Sequence, residues 1–328
     1  MTHRIIYMGT PDFSCPALQA LVRHPNVEVA LVVTQPDRPA GRGRRRQGSP
    51  VKQLAGSLEI PVYQPPSLRS AEQRQPLVEV MPDLIMVAAY GLILGRSVLD
   101  LPTRGCVNLH ASILPRYRGA SPISASILNG DHETGVSLMR MERGLDTGPM
   151  FDKARIRIAG ADTTASITER LAATAADLVI RNVDALLDGS LEAVAQPPGA
   201  TLTRPLVKGD GWIDWTCPTV EIERQVRAMW SWPRAWTTLP DGSSFQIHAA
   251  SVEADADVTP GVIRTDQAAF LVGCGDGSLR VERGQLAGGK PLDGQQLTNI
   301  PKLGDATRLG GLDRPTVPGP MIQPVGEG

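Results

Sequence analysis

Arg4-Ile-Ile-Tyr-Met8, then Gly9-Thr-Pro-Asp-Phe-Ser14, then, after a helical stretch, Val27-Glu-Val-Ala-Leu-Val-Val-Thr34: these three pieces decide the fold. The first is a β-branched and aromatic run, and the second opens with a Gly-Thr-Pro turn. Apolar residues at Phe13, Leu18, Leu21 and Val22 then follow helical spacing as far as Arg23. Val27–Thr34 is nearly all apolar, as a strand covered on both faces must be. The same alternation continues through a helix-like Val51–Leu58, a short strand at Pro61–Tyr63, and buried runs at Leu84–Ala89, Cys106–Leu109 and Gly135–Met141. Strands alternating with helices predict an α/β fold, a Rossmann-like open sheet of mostly parallel strands. Its first strand-to-helix turn is not Gly-x-Gly-x-x-Gly, which argues against a nicotinamide dinucleotide.

Further along, Thr163–Leu187 reads as one long helix and closes a first domain expected to span residues 1–189. Gln196-Pro-Pro-Gly199 through Arg204-Pro205 reads as an extended linker, 190–208. From Gly209 the pattern changes to short strand candidates at Trp212–Trp215, Ala235–Leu239, Ser244–Val252, Gly261–Arg264, Ala268–Val272 and Ser278–Glu282, with one helix at Pro218–Met229. This predicts a small C-terminal β-barrel of OB-like type over 209–310. The Pro- and Gly-rich tail, 311–328, is expected to be disordered and not to pack. All five tryptophans lie between Trp212 and Trp236, where they can either stack on bases or build a small core.

A hydrophobic content of 41% and a net charge of −1 describe an ordinary globular chain rather than a general nucleic-acid binder. No apolar stretch nears the roughly 18 residues of a membrane span, and the N-terminus shows no secretory signal, so a cytoplasmic protein is expected. Cys15, Cys106, Cys217 and Cys274 are scattered without Cys-x-x-Cys spacing, which argues against a zinc site; no metal is expected. One local charge feature stands out. Arg38, Arg42, Arg44, Arg45, Arg46 and Lys52 fall in a stretch with no acid before Leu58, broken by Gly41, Gly43, Gly48, Pro39 and Pro50. These breakers read as a loop, either a solvated connector or an arm that meets phosphate.

Chemically useful groups concentrate in Asn108-Leu-His110-Ala-Ser-Ile-Leu-Pro115-Arg-Tyr-Arg-Gly119 and in Gly144-Leu-Asp146-Thr-Gly148. Asn108 and His110 sit two apart at a strand end, so their side chains share one side while Leu109 turns away. An amide, an imidazole and a carboxylate suffice to polarise a carbonyl and handle a proton in acyl transfer. Read singly, each has an ordinary alternative: a satisfied core histidine, a capping asparagine, an aspartate ending a turn.

The combination resembles the signature of the folate-dependent formyltransferases. Gly9-Thr-Pro-Asp-Phe13, Thr34-Gln-Pro-Asp-Arg-Pro-Ala-Gly-Arg-Gly43, Ser49-Pro-Val-Lys52, Ala89-Tyr-Gly-Leu-Ile-Leu94 and Asp210-Gly-Trp-Ile-Asp-Trp215 are similar to the tRNA-directed branch of that family. The resemblance runs from Arg4 to Gly310. It implies 10-formyltetrahydrofolate as formyl donor and the α-amino group of initiator methionyl-tRNA as acceptor, in translation initiation, by a chain expected to act as a monomer. Asn108, His110 and Asp146 match the catalytic trio. Ser112, Ile113, Leu114 and Pro115, with Tyr90, Gly91, Leu92 and Leu94, match the folate-binding segments. Arg38, Arg42, Arg44, Arg45 and Arg46 match the loop that enters the tRNA acceptor arm. In that scheme Asn108 and His110 donate to the oxyanion, while Asp146 orients His110 and helps remove the amine's proton, with no covalent enzyme intermediate. Ile113 and Tyr117 stand where the family often has Leu and Trp. The trio alone also suits a formyltransferase for a sugar amine or a small ribonucleotide, or a hydrolase of the formyl donor. A non-catalytic RNA-binding protein is the remaining alternative.

Overall fold

The side chains of β1 (His3–Gly9) alternate between two cores: Ile5 and Tyr7 enter one, Ile6 and Met8 the other, all fully buried. A strand covered on both faces belongs mid-sheet, and β1 lies inside a seven-stranded sheet in this computed structural model. The structure describes residues 2–40, 45–253, 259–266, 269–311 and 315–325. After β1 come α1 (Cys15–Val22), β2 (Val27–Val33), β3 (Arg38–Ala40), β4 (Arg45–Gln47), α2 (Pro50–Ser57), β5 (Val62–Tyr63), α3 (Ala71–Val80) and β6 (Leu84–Ala88). The chain continues through α4 (Arg96–Leu99), β7 (Cys106–His110), β8 (Arg118–Gly119), α5 (Pro122–Leu128), β9 (Glu133–Arg140), β10 (Met150–Arg157) and α6 (Thr164–Asp188).

The sheet order is β10-β9-β7-β6-β1-β2-β5. β5, β2, β1, β6 and β7 run parallel, and β9 and β10 complete the other edge antiparallel. This is the expected mostly parallel, Rossmann-like arrangement. α1 and α6 cover one face, burying Leu18 and Leu21 with Ile167, Leu171, Leu178 and Val183; α3 and α4 cover the other through Leu77, Val80 and Val98. α6 starts at a capping box of Thr163 and Ser166 and stops at Gly189, whose φ of 82° is the left-handed conformation glycine accepts most readily.

The second half comprises β11 (Thr201–Thr203), α7 (Thr219–Ala228), β12 (Ala235–Thr238), β13 (Ser244–Glu253), β14 (Ile263–Asp266), β15 (Ala269–Gly273), β16 (Ser278–Leu286), β17 (Leu292–Asp293), α8 (Gly294–Leu297) and β18 (Ile322–Pro324). β12 to β17 form an antiparallel sheet around a separate core that holds Trp215, Ile222, Phe245, Phe270 and Leu279. The two halves meet where the Ala228 carbonyl, at the end of α7, accepts from Ser124 Oγ (3.1 Å) and Thr164 Oγ1 (2.6 Å).

Several expectations change. The described part of the tail, 315–325, packs: β18 pairs antiparallel with β11, which pairs parallel with β8, and Met321 rests on the first core, while 312–314 and 326–328 lie outside the described residues. Composition pointed to disorder, but a strand partner more than a hundred residues away supplies the order that local sequence lacks. Within the extended linker, Thr201–Thr203 form β11, which takes β8 and β18 as partners. Trp212–Trp215 is not a strand; Trp212 packs edge-on to Trp236 with ring centroids 4.9 Å apart, and Trp215 is core. Of the tryptophans only Trp232 is largely exposed, at 54%, so core building outweighs base stacking here. The arginine-rich stretch is not a plain loop, because β3 and β4 pair as an antiparallel hairpin. Arg42 and Arg44 lie outside the described residues.

Candidate active site

β7 ends where the parallel strands give way to the antiparallel edge, with β6 on one side and β9 on the other. Val107 and Leu109 fill the core beneath α6, so Cys106, Asn108 and His110 face the opposite way. Burial pushes the Cys106 thiol up to about 12, helped by the nearby Asp100 charge. It is therefore no nucleophile at neutral pH. Past it, at the carboxyl end of the strand where α/β sheets bind ligands, Asn108 and His110 are 8% and 6% exposed.

The structure brings the trio together. Nδ1 of His110 lies 3.6 Å from Oδ2 of Asp146, and the Asn108 amide donates to Oδ1 of Asp146 at 3.5 Å, the outer limit of a hydrogen bond. The Gly119 N–H donates to Oδ2 of Asp146 at 2.8 Å. Nε2 of His110 lies 2.9 Å from the Tyr117 carbonyl. A carbonyl only accepts, so Nε2 carries the proton and Nδ1 is turned to Asp146. This corrects one expected role: the Nε2–H of His110 is engaged with Tyr117 and not directed at an oxyanion. Asn108 retains a second amide hydrogen for that task. The Nδ1–carboxylate gap suits reception of a proton.

The loop after β7 is built to present that carbonyl. Ser112 is fully buried; its hydroxyl donates to the Arg116 carbonyl at 2.6 Å, and its own carbonyl accepts from Ser137 of β9 at 2.8 Å. Ser137 also accepts from the Leu114 N–H at 3.1 Å, and the Leu114–Pro115 peptide is cis. Tyr117 takes a left-handed φ of 58°, its N–H donating to Thr201 Oγ1 at 2.8 Å and its hydroxyl to Asp131 at 2.7 Å. Burial, and then the hydrogen bond to Asp131, hold that phenol above its ordinary value. Gly119 is required where it stands: its φ is 103°, and a Cβ there would collide with the Thr203 carbonyl of β11. Sequence reasoning missed Ser137, Thr201 and the Tyr117 carbonyl. The first two signal nothing locally, and a backbone carbonyl has no residue signature at all.

The folate-matched residues divide. Leu94 and Leu114 are buried, Leu92 and Pro115 are half-buried, and Gly91 has a φ of 91°. The Tyr90 hydroxyl is buried without a partner among the described residues, and burial pushes it up to about 12. Apolar walls with a buried hydroxyl fit a heteroaromatic ring bearing polar edges. Ile113 instead packs its Cδ1 against Gly135 of β9, supporting the loop. Beside Tyr90, at the switch point between β1 and β6, Thr10, Pro11, Gln35 and Arg38 help line a cavity of about 390 Å³. A larger cavity of about 640 Å³ between the two halves includes none of the trio. Arg38 and Arg46 are exposed, and Arg38 donates to Gln35 at 3.2 Å. Arg45 lies on β4. No cluster of His, Cys, Asp and Glu able to hold a metal occurs among the described residues.

A Rossmann-like sheet with Asn, His and Asp converging at a strand end defines an acyl-transfer class of enzyme. Residues 3–183 match the family model described as formyl transferase, and residues 205–302 match its C-terminal domain. The chain belongs to the formyl transferase family, and its C-terminal antiparallel sheet is consistent with the OB-like fold of that second domain. The methionyl-tRNA formyltransferase of Pseudomonas fluorescens (strain SBW25) is 46% identical over 297 residues, covering 90% of this chain and 93% of the relative. In fold the chain is similar to an N-formyltransferase from Helicobacter canadensis in complex with folinic acid and dTDP-3-aminofucose, with a TM-score of 0.64, 17% identity, and 86% and 99% coverage of the two chains. It is also similar to HypX from Aquifex aeolicus in complex with tetrahydrofolic acid, with a TM-score of 0.59, 16% identity, and 91% and 47% coverage.

Proposed function

We propose that this enzyme transfers a formyl group from 10-formyltetrahydrofolate to the α-amino group of methionine on initiator methionyl-tRNA, as a cytoplasmic monomer. The convergence of Asn108, His110 and Asp146 beyond β7 carries this reading, and the identity to tRNA-directed relatives over both halves of the chain supports the acceptor. When bound, the folate supplies the activated formyl carbonyl; Tyr90, Gly91, Leu92, Leu94 and the Ser112–Pro115 turn are the residues that would hold it. Asn108 donates its free amide hydrogen to the oxygen that becomes negative as the amine adds. Removal of such a donor commonly slows a reaction by about 10²–10³-fold. His110, fixed by the Tyr117 carbonyl, offers Nδ1 next to Asp146, and this pair receives the proton that the attacking amine must lose. The proton then leaves with the folate amine, so no formyl-enzyme forms.

The arginine hairpin β3–β4 meets the acceptor arm, with Arg38, Arg42, Arg44, Arg45 and Arg46 neutralising phosphates. Labelled 10-formyltetrahydrofolate offered with charged initiator tRNA, free methionine and small amines tests the whole reading. Label is expected on methionyl-tRNA. Label on small amines alone, or release of formate without any acceptor, would contradict it.

A further inference from the structure

We propose that Gln196, in the segment joining the two halves of the chain, is a positioning residue for Asp146, so that this segment is part of the active site. The inference rests on the reading of Asp146 given above. Asp146 is carried by a stretch, 142–147, that is mostly exposed: Leu145 is 55% exposed. Its own φ of 52° is left-handed, a conformation a non-glycine residue holds only when its surroundings enforce it. The carboxylate alone cannot enforce it, because one of its three contacts is at 3.5 Å and another at 3.6 Å. The backbone supplies the remainder. The Gln196 amide donates to the Asp146 carbonyl and to the Gly148 carbonyl, each at 2.8 Å. Among the described residues no other side chain donates to the backbone of 142–148. Gly148 itself admits no side chain, since a Cβ would collide with the Arg140 carbonyl, and this keeps the turn tight.

The other end of the same amide reaches the opposite loop. Oε1 of Gln196 accepts from Nε and Nη2 of Arg118 at 3.1 and 2.7 Å. Arg118 stands between Tyr117, whose carbonyl fixes His110, and Gly119, whose N–H holds Asp146. One half-buried carboxamide thus ties the Asp146 turn to the loop that orients His110, with all its main hydrogen-bonding capacity used. Asparagine is a methylene shorter, and glutamate would turn two donated bonds into an oxygen facing two carbonyls. β11, five residues on, adds a second tie through Thr201 to the Tyr117 N–H.

The test is steady-state formyl transfer by the full chain, with melting temperature measured alongside, for Gln196→Ala, Gln196→Glu, Arg118→Leu and Asp146→Ala. Gln196→Ala, which removes all four of these hydrogen bonds, is expected to lower kcat about tenfold or more, while KM for the folate donor stays within about twofold. Gln196→Glu, isosteric and still paired with Arg118, falls at least as far. Arg118→Leu, which leaves the two donated bonds, loses less. A packing role predicts the reverse: Gln196→Glu close to wild type, and Gln196→Ala altered in melting temperature alone. That result overturns the inference, as does a loss confined to KM. Asp146→Ala separates the two levels. If it retains wild-type activity, the catalytic reading itself fails; if it is inactive while both Gln196 variants keep wild-type kcat, only the role of Gln196 fails.

Discussion

The end of β7 and the arginine hairpin both follow the carboxyl ends of parallel strands, β7 and β2, of one sheet and are built on opposite principles. Asn108 and His110 are nearly sealed, at 8% and 6% exposure, and their polar atoms meet the Asp146 carboxylate and the Tyr117 carbonyl, while the Gly119 N–H of β8 holds Asp146 in turn. The hairpin exposes Arg38 and Arg46 and is anchored at its base, where Lys52 donates to both carboxylate oxygens of Asp37 at 2.8 and 2.7 Å and Gln64 donates to the same carboxylate at 2.7 Å. Those bonds from Lys52 and Gln64 hold the Asp37 carboxyl below its ordinary value. Catalysis needs groups fixed before the substrate arrives, in a site with little water. Phosphate recognition needs charge that reaches outward and can be tuned by salt. The difference tells which kinetic parameter each region should govern.

The largest effect expected is on the buried region. Asn108→Ala should lower kcat by about 10²–10³-fold with little change in either KM, the pattern of an interaction made mainly in the transition state. An equal loss spread over KM would blur the contrast. The second effect belongs to the hairpin. Arg42→Ala should raise KM for methionyl-tRNA by about tenfold, leave KM for the folate unchanged, and reduce the salt slope of tRNA binding by about one unit. If folate and tRNA suffer equally, the hairpin is not a separate RNA-facing element.

The smallest effect concerns neither region but the brace that ties the linker to the tail. Arg204 donates to both oxygens of Asp210 at 2.8 and 2.6 Å and also to the Gly319 carbonyl at 3.0 Å, tying linker to tail. Burial pushes the Asp210 carboxyl up, but the bonds from Arg204 and the Val207 N–H outweigh it and hold the group below its ordinary value. A carboxyl lowered in the folded state gives its full stabilisation above the unfolded value and loses it as pH falls through the folded one. Asp210→Asn should therefore melt about 2–4 °C below wild type near neutral pH. The gap should close in acid, below the folded value. A gap that persists unchanged into acid would show that the ion pair is not its source.

Much of the fold was legible because burial leaves a mark on composition: the nearly all-apolar Val27–Thr34 and the 3.6-residue spacing of α6 follow directly from what covers them. Asn108 and His110 were legible for the same reason, two polar residues on one side of an apolar strand. What stayed hidden acts through backbone groups and distant partners. Tyr117 contributes a carbonyl, Gly119 an N–H, and Thr201 a hydroxyl 84 positions from its partner. The tail reads as Pro-Gly coil because β18 acquires its order from β11. The hairpin hid within a loop because Arg-Pro-Ala and Arg-Arg-Gln carry no alternation.

In the proposed mechanism the pair of His110 and Asp146 handles the proton of formyl transfer. Single-turnover transfer from 10-formyltetrahydrofolate to initiator methionyl-tRNA by Asp146→Asn tests it most directly, since the amide keeps an acceptor for the Gly119 N–H and removes the charge. The expected rate is lower by about 10³-fold or more with both substrates still bound. Transfer at the wild-type rate would contradict it.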